Sequence, residues 1–292
     1  MKLLIALLFS STLVTAQSID DLFVDQDWLQ SHMSDKNLVI LHVDRQEGYT
    51  LGHIDGSKFI GNESFIITSH DSLYYELPAA EDFASELSKR GIDKKSTIVL
   101  VSGRESFARA FRLFFTMKYF GLEKQVRILD GGIKGWESNK LPISTDSVTS
   151  EVAKSLLKLK QNTKLLVDKN WVRDNSQNSN TLIIDARRNN YYSGEEKGSY
   201  VRGGHVAGAK NITWTNLVDE NNFLKPQSEL AELYQKAGAA QEKQLVSYCH
   251  VGLRASVVYT IGHVLGYNIK LYDGSYNEWD RLSEEFPFEL GN

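Results

Sequence analysis

Apolar positions along this chain fall into short runs that alternate with segments of helical period, and the whole alternation occurs twice. In the first half, Leu38-Val39-Ile40-Leu41-His42-Val43 is a nearly continuous apolar run that ends at Asp44-Arg45. Gly52-His53-Ile54-Asp55-Gly56-Ser57 follows, then a proline-led helical segment from Pro78 that closes at Gly91. The second half repeats the order: Leu182-Ile183-Ile184-Asp185-Ala186-Arg187, Gly204-His205-Val206-Ala207-Gly208-Ala209, then Pro226 to Gly238. Proline at the start and glycine past the end are helix boundary signals.

Each half continues with another apolar run, Thr97–Val101 or Gln244–Tyr248, and a helix, around Phe107–Phe120 or Leu253–Leu265. Val257, Ile261, Val264 and Leu265 recur at helical spacing. Both halves end on a strand and a glycine turn, Asp130-Gly131-Gly132 with Trp136 and Asp273-Gly274-Ser275 with Trp279. Strand runs without alternation are what a parallel sheet covered on both faces requires. The expected fold is therefore α/β, two copies of one mostly parallel sheet flanked by helices. The expected domains are 20–142 and 164–290, joined by a polar linker at 143–163 that is partly helical. Trp136, Trp279, Phe111, Phe114 and Phe115 are expected in the cores or between them.

With 292 residues, two domains are the expectation. Hydrophobic residues at 41% and charged residues at 24% fit a globular protein, and the net charge of −4 argues against general nucleic-acid binding. The N-terminus departs from this pattern. Lys2, the apolar stretch Leu3–Phe9 and Val14-Thr15-Ala16 have the order of a signal peptide over 1–16. The expectation is an exported protein, periplasmic or secreted, with an uncleaved membrane tether as the alternative.

Export changes the meaning of the cysteine count. Cys249 is the one cysteine in the chain, so no internal disulfide and no resolving thiol are available. It stands in Tyr248-Cys249-His250-Val251-Gly252-Leu253-Arg254-Ala255, where an apolar run meets a helix start. Free backbone N–H groups and the positive end of a helix dipole at such a junction favour thiolate over thiol. A buried structural cysteine is the competing reading, but packing alone calls for neither a glycine turn nor Arg254. The first half has no thiol in its matching turn, Ser102-Gly103-Arg104-Glu105.

These motifs, in the same order twice, resemble the tandem-domain rhodanese sulfurtransferases over nearly the whole mature chain. The resemblance implies an inactive first domain and a second domain whose Cys249 carries sulfur as a persulfide. The thiolate takes the outer sulfur of a donor, with thiosulfate favoured, and passes it to cyanide or a thiol. His250, Val251, Gly252, Leu253 and Arg254 would form the substrate cradle, and Asp185 and Arg187 would support the loop as an ion pair. Cys-x4-Arg spacing is shorter than the Cys-x5-Arg of related phosphatases, which ranks phosphatase or arsenate reductase below sulfur transfer.

Alternatives are 3-mercaptopyruvate as donor, or a module that binds a sulfur species or anion without turnover. The vertebrate thiosulfate enzymes carry basic loop residues where this chain has Val251. They and the mercaptopyruvate enzymes also carry an arginine where this chain has Tyr191. The expected partners are small-molecule donor and acceptor, with no nucleic acid, metal or cofactor, and the chain is expected to be a monomer. The histidines show no metal spacing. His53 and His205 occupy equivalent turns and are expected to share a structural hydrogen bond.

Overall fold

The computed structural model describes residues 18–69, 73–105, 107–149 and 151–291. The expected signal segment lies outside them. Among the described residues, the first half holds β1 (Phe23–Val24), β2 (Leu38–Val43), β3 (Lys58–Ile60), β4 (Ile67–Thr68), β5 (Tyr74–Glu76), β6 (Thr97–Ser102) and β7 (Val126–Leu129). The second half holds β8 (Leu166–Val167), β9 (Thr181–Asp185), β10 (His205–Val206), β11 (Lys210–Asn211), β12 (Gln244–Tyr248), β13 (Ile269–Tyr272) and β14 (Phe288–Glu289).

Two parallel five-stranded sheets result, ordered β1-β7-β6-β2-β3 and β11-β9-β12-β13-β8. Read from opposite edges they are the same sheet, with β6 and β12 at the centre. Strands β2, β6, β9 and β12 are buried after their first residue, as their unbroken apolar runs require. Local signals repeat as well. Asp25 accepts the N–H of Trp28 at 2.7 Å and Asp168 that of Trp171 at 2.8 Å, each capping the helix that follows.

The helix Phe107–Tyr119 is buried along all 13 of its residues. One side covers its own sheet and the other packs on the helix Ala255–Val264 of the second half. Phe115 meets Tyr259 edge to face at 4.7 Å, and one apolar core runs through both halves. Burying a phenylalanine of this kind contributes about 1.5–3 kcal/mol. Polar contacts close the rim of the contact. Glu123 Oε1 lies 2.7 Å from His263 Nε2, and Lys118 pairs with the same carboxylate.

The linker becomes helical only at its last residue, where the 3-10 turn Thr163–Leu165 begins. None of its described residues from 143 to 162 is helical. It is held as extended chain, with Ala153 N–H on Ser88 O at 2.9 Å and Asn162 N–H on Tyr119 O at 2.7 Å. Those bonds to the first domain satisfy backbone groups that a helix would have paired internally.

Candidate active site

Cys249 follows the last residue of β12 and is 1% exposed. The turn after β13 pins it from below. Tyr276 N–H donates to Cys249 O at 3.0 Å, Asn277 N–H to His250 O at 2.9 Å, and Cys249 N–H donates to Ser275 Oγ at 3.3 Å. Ser275 has a φ of 54°, unusual for a residue with a side chain, and its hydroxyl also donates to Tyr272 O at 2.9 Å.

The loop turns at Gly252, whose φ of +78° lies in the left-handed region. A Cβ there would stand 2.7 Å from Asp273 Oδ1 and 3.1 Å from Arg112 Nη1, so glycine is required on both counts. The 10-residue helix begins at Ala255. Among the described residues, no protein acceptor takes the backbone N–H groups of residues 250–255. A thiol at the base of such a nest faces several donors suited to negative charge.

Arg254 is placed by His250, its Nη1 lying 2.8 Å from His250 Nδ1. A guanidinium only donates, so Nδ1 is the acceptor and Nε2 carries the proton of a neutral ring. Burial first, then the charges of Arg187 and Arg254, push the His250 pKa down to about 3, consistent with that neutral state. Tyr191 meets the ring edge-on at 4.7 Å and Tyr200 stacks on it at 5.6 Å. A cavity of about 350 Å³ is lined by Cys249, His250, Val251, Leu253 and Arg254, with Tyr191 and Tyr75 as walls. Gly252 lies at the back of the loop instead of on the cavity.

Asp185 and Arg187 do not line this cavity. They form a buried pair, Nη2 to Oδ2 at 2.6 Å, with Tyr248 Oη donating to Asp185 Oδ2 at 2.8 Å. Burial opposes the charge on Arg187, but Asp185 outweighs it and holds the guanidinium firmly protonated. Tyr276 caps the pair, the Arg187 guanidinium lying 4.0 Å from its ring centroid. The pair therefore braces the residues that pin Cys249. His53 and His205 likewise serve their turns, their Nδ1 atoms 3.0 Å from Tyr49 O and 2.8 Å from Tyr192 O.

Sequence motifs missed Tyr75, which arrives from the first domain on β5, and Ser275. One signal for Tyr75 was available: an aromatic residue stands three positions before the helix proline in both halves, Tyr75 before Pro78 and Phe223 before Pro226. The contact is reciprocal. Phe223 packs on Gly131 and Gly135 of the first domain, where a Cβ would lie 2.7 Å from its ring.

Strand register corrects the match between the halves. Thr97 N–H bonds Asn37 O and Gln244 N–H bonds Asn180 O, so the central strands start at the same point. Counting from there places Ser102 opposite Cys249, His42 opposite Asp185, Asp44 opposite Arg187 and Phe107 opposite Arg254. The pair Asp44-Arg45 is thus not the counterpart of Asp185 and Arg187. A larger cleft, about 590 Å³, opens in this half beside Asp44, Arg45 and Arg104, without a thiol.

Two copies of this sheet, each ending its central strand in a turn beneath a helix, define a rhodanese-type protein. The rhodanese-like domain profile matches residues 25–139 and again 168–282, and the chain belongs to that family. Its relatives make it a sulfurtransferase. It is 31% identical over 283 residues to the "Putative thiosulfate sulfurtransferase 1" of Mycobacterium bovis, covering 93% of this chain and 99% of the relative. It is also 31% identical over 271 residues to the 3-mercaptopyruvate sulfurtransferase of Escherichia coli, covering 88% and 94%. The anaerobic ergothioneine biosynthesis enzyme from Chlorobium limicola shares the fold, with a TM-score of 0.81 at 22% identity, covering 93% of this chain and 71% of that one.

Proposed function

We propose that Cys249 carries sulfane sulfur from thiosulfate to a small thiophilic acceptor. The observation that carries this reading is the buried thiol that opens a loop whose backbone N–H groups, residues 250–255, have no protein acceptor among the described residues, with Arg254 as the loop's cation. The thiolate attacks the outer sulfur of thiosulfate, and the old S–S bond breaks with its electron pair leaving on sulfite. Cyanide or a thiolate then attacks the terminal sulfur of the persulfide, and the Cys249 thiolate is regenerated. The loop N–H groups hold the negative charge on the terminal sulfur in both steps. The relative named for thiosulfate supports this donor.

3-Mercaptopyruvate is the second reading, supported by the relative named for it. Tyr191 does not separate the two donors: its hydroxyl donates to Glu196 Oε1 at 2.6 Å, so that position offers no cation to either anion. The test is intact mass spectrometry after mixing with each donor. Thiosulfate is expected to add one sulfur to Cys249, and cyanide to remove it. A protein that gains no sulfur from either donor would sink the proposal. The apolar segment 1–16 supports export, with cleavage after Ala16 expected on N-terminal sequencing of the exported protein.

A further inference from the structure

Arg112 belongs to the thiol-free half, yet its guanidinium ends beside the thiol-bearing loop. The side chain is fully buried. Nη1 pairs with Asp273 Oδ1, Nη2 lies 3.1 Å from Asp273 Oδ2, and Nη2 also donates to the backbone carbonyl of Tyr75. Asp273 in turn packs its Oδ1 against Gly252 and precedes Ser275, the acceptor for Cys249 N–H, by two residues. One side chain thereby touches the underside of the loop and the cavity wall.

Both contacts look costly for a residue that serves docking alone. Tyr75 has a φ of 69°, a conformation that persists only where its surroundings impose it. Arg112 Nε is buried without a hydrogen-bond partner among the described residues. The opposite side of the same interface shows what docking needs. Asp130, the counterpart of Asp273, has no arginine partner among the described residues; it accepts the N–H groups of Leu224 and Gly131 at 2.9 and 3.0 Å. The charged fork is found on the thiol-bearing side.

We propose that Arg112 is a positioning residue for sulfur transfer, locking the Cys249 loop through Asp273 and the Tyr75 wall through its carbonyl. This rests on the reading of Cys249 as nucleophile. The full chain is tested as Arg112→Met, Arg112→Lys and Tyr75→Gly. The readouts are the rate of Cys249 alkylation by iodoacetamide at fixed pH and the kcat and KM for thiosulfate and a thiol acceptor.

A displaced loop is expected to slow alkylation and kcat of Arg112→Met about ten- to a hundredfold. Arg112→Lys restores part of the loss, because it keeps the charge without the fork. Tyr75→Gly keeps the carbonyl and removes the ring, so it moves acceptor KM more than alkylation. A folded Arg112→Met protein with wild-type alkylation and kinetics overturns the proposal. If that variant does not fold, Arg112→Lys and Asp273→Asn decide by the same measures. Alkylation needs no sulfur donor. A wild-type protein that alkylates quickly but never accepts sulfur would defeat the transfer reading, while the variants still report on positioning.

Discussion

At the end of the central strand one half places Cys249 and the other Ser102, and the surroundings have diverged with them. In the second half an acid precedes a base, Asp185 and Arg187, joined at 2.6 Å. In the first, His42 and Asp44 occupy those places with their nearest charged atoms 3.5 Å apart. Burial pushes the His42 pKa down against the pull of Asp44, which favours a neutral ring where the other half has the guanidinium of an ion pair. Phe107 replaces the loop cation Arg254. Arg104 lines the first-half cleft, but its guanidinium is engaged by Glu137, at 3.0 Å from Nε to Oε2, and by the Gly52 carbonyl at 3.1 Å. The thiol is therefore one of several parts that stand together in one half and are dismantled together in the other.

Removing the thiol should break the comparison most completely. Cys249→Ser is expected to lower sulfur transfer at least about a thousandfold, measured as thiocyanate formed from thiosulfate and cyanide. Next in size is the brace. Asp185→Ala strands a buried guanidinium and is expected to cost about 3–5 kcal/mol in denaturant unfolding, more than His42→Ala at the matching place.

Two interface carboxylates should respond to pH with opposite sign. Burial opposes ionisation of Glu123, but His263 and Lys118 outweigh it and hold its pKa at about 2. Its stabilisation is present above the ordinary value of 4.5 and is lost as pH falls toward 2. Burial dominates at Asp130 and raises it from 3.8 to about 6 despite two backbone bonds. The folded state then binds the extra proton, so stability falls as pH rises between those values. Thermal unfolding from pH 3 to 8 should show Glu123→Gln least stable relative to wild type at the upper end. Asp130→Asn should gain on wild type there.

Ser275→Ala leaves Cys249 N–H without its acceptor and is expected to cost about 1 kcal/mol, with a modest fall in kcat. The smallest effect is the most discriminating. Ser102→Cys should gain no measurable sulfur from thiosulfate by mass spectrometry when Cys249 is replaced by serine. Appreciable loading of that second thiol would show that the surrounding differences do not matter.

How much of this was legible in the sequence follows the range of each contact. The repeated strands and helices announced themselves, because each depends on its own run of apolar residues. The Cys249 loop was legible for the same reason, its glycine and arginine lying within five positions of the thiol. The Tyr75 wall and the Arg112 fork depend on how two halves meet, which no local pattern encodes. Asp44-Arg45 misled because composition imitates a motif that register does not preserve. The described linker residues before Thr163 are extended because their backbone finds partners on the first domain instead of along itself.

The helix Phe107–Tyr119, buried from end to end, has a consequence for what can be cut away. Deleting either half would leave an oily face of the other in water. The copy without a thiol is thus the other half's inner wall, and neither can be trimmed off without exposing its partner.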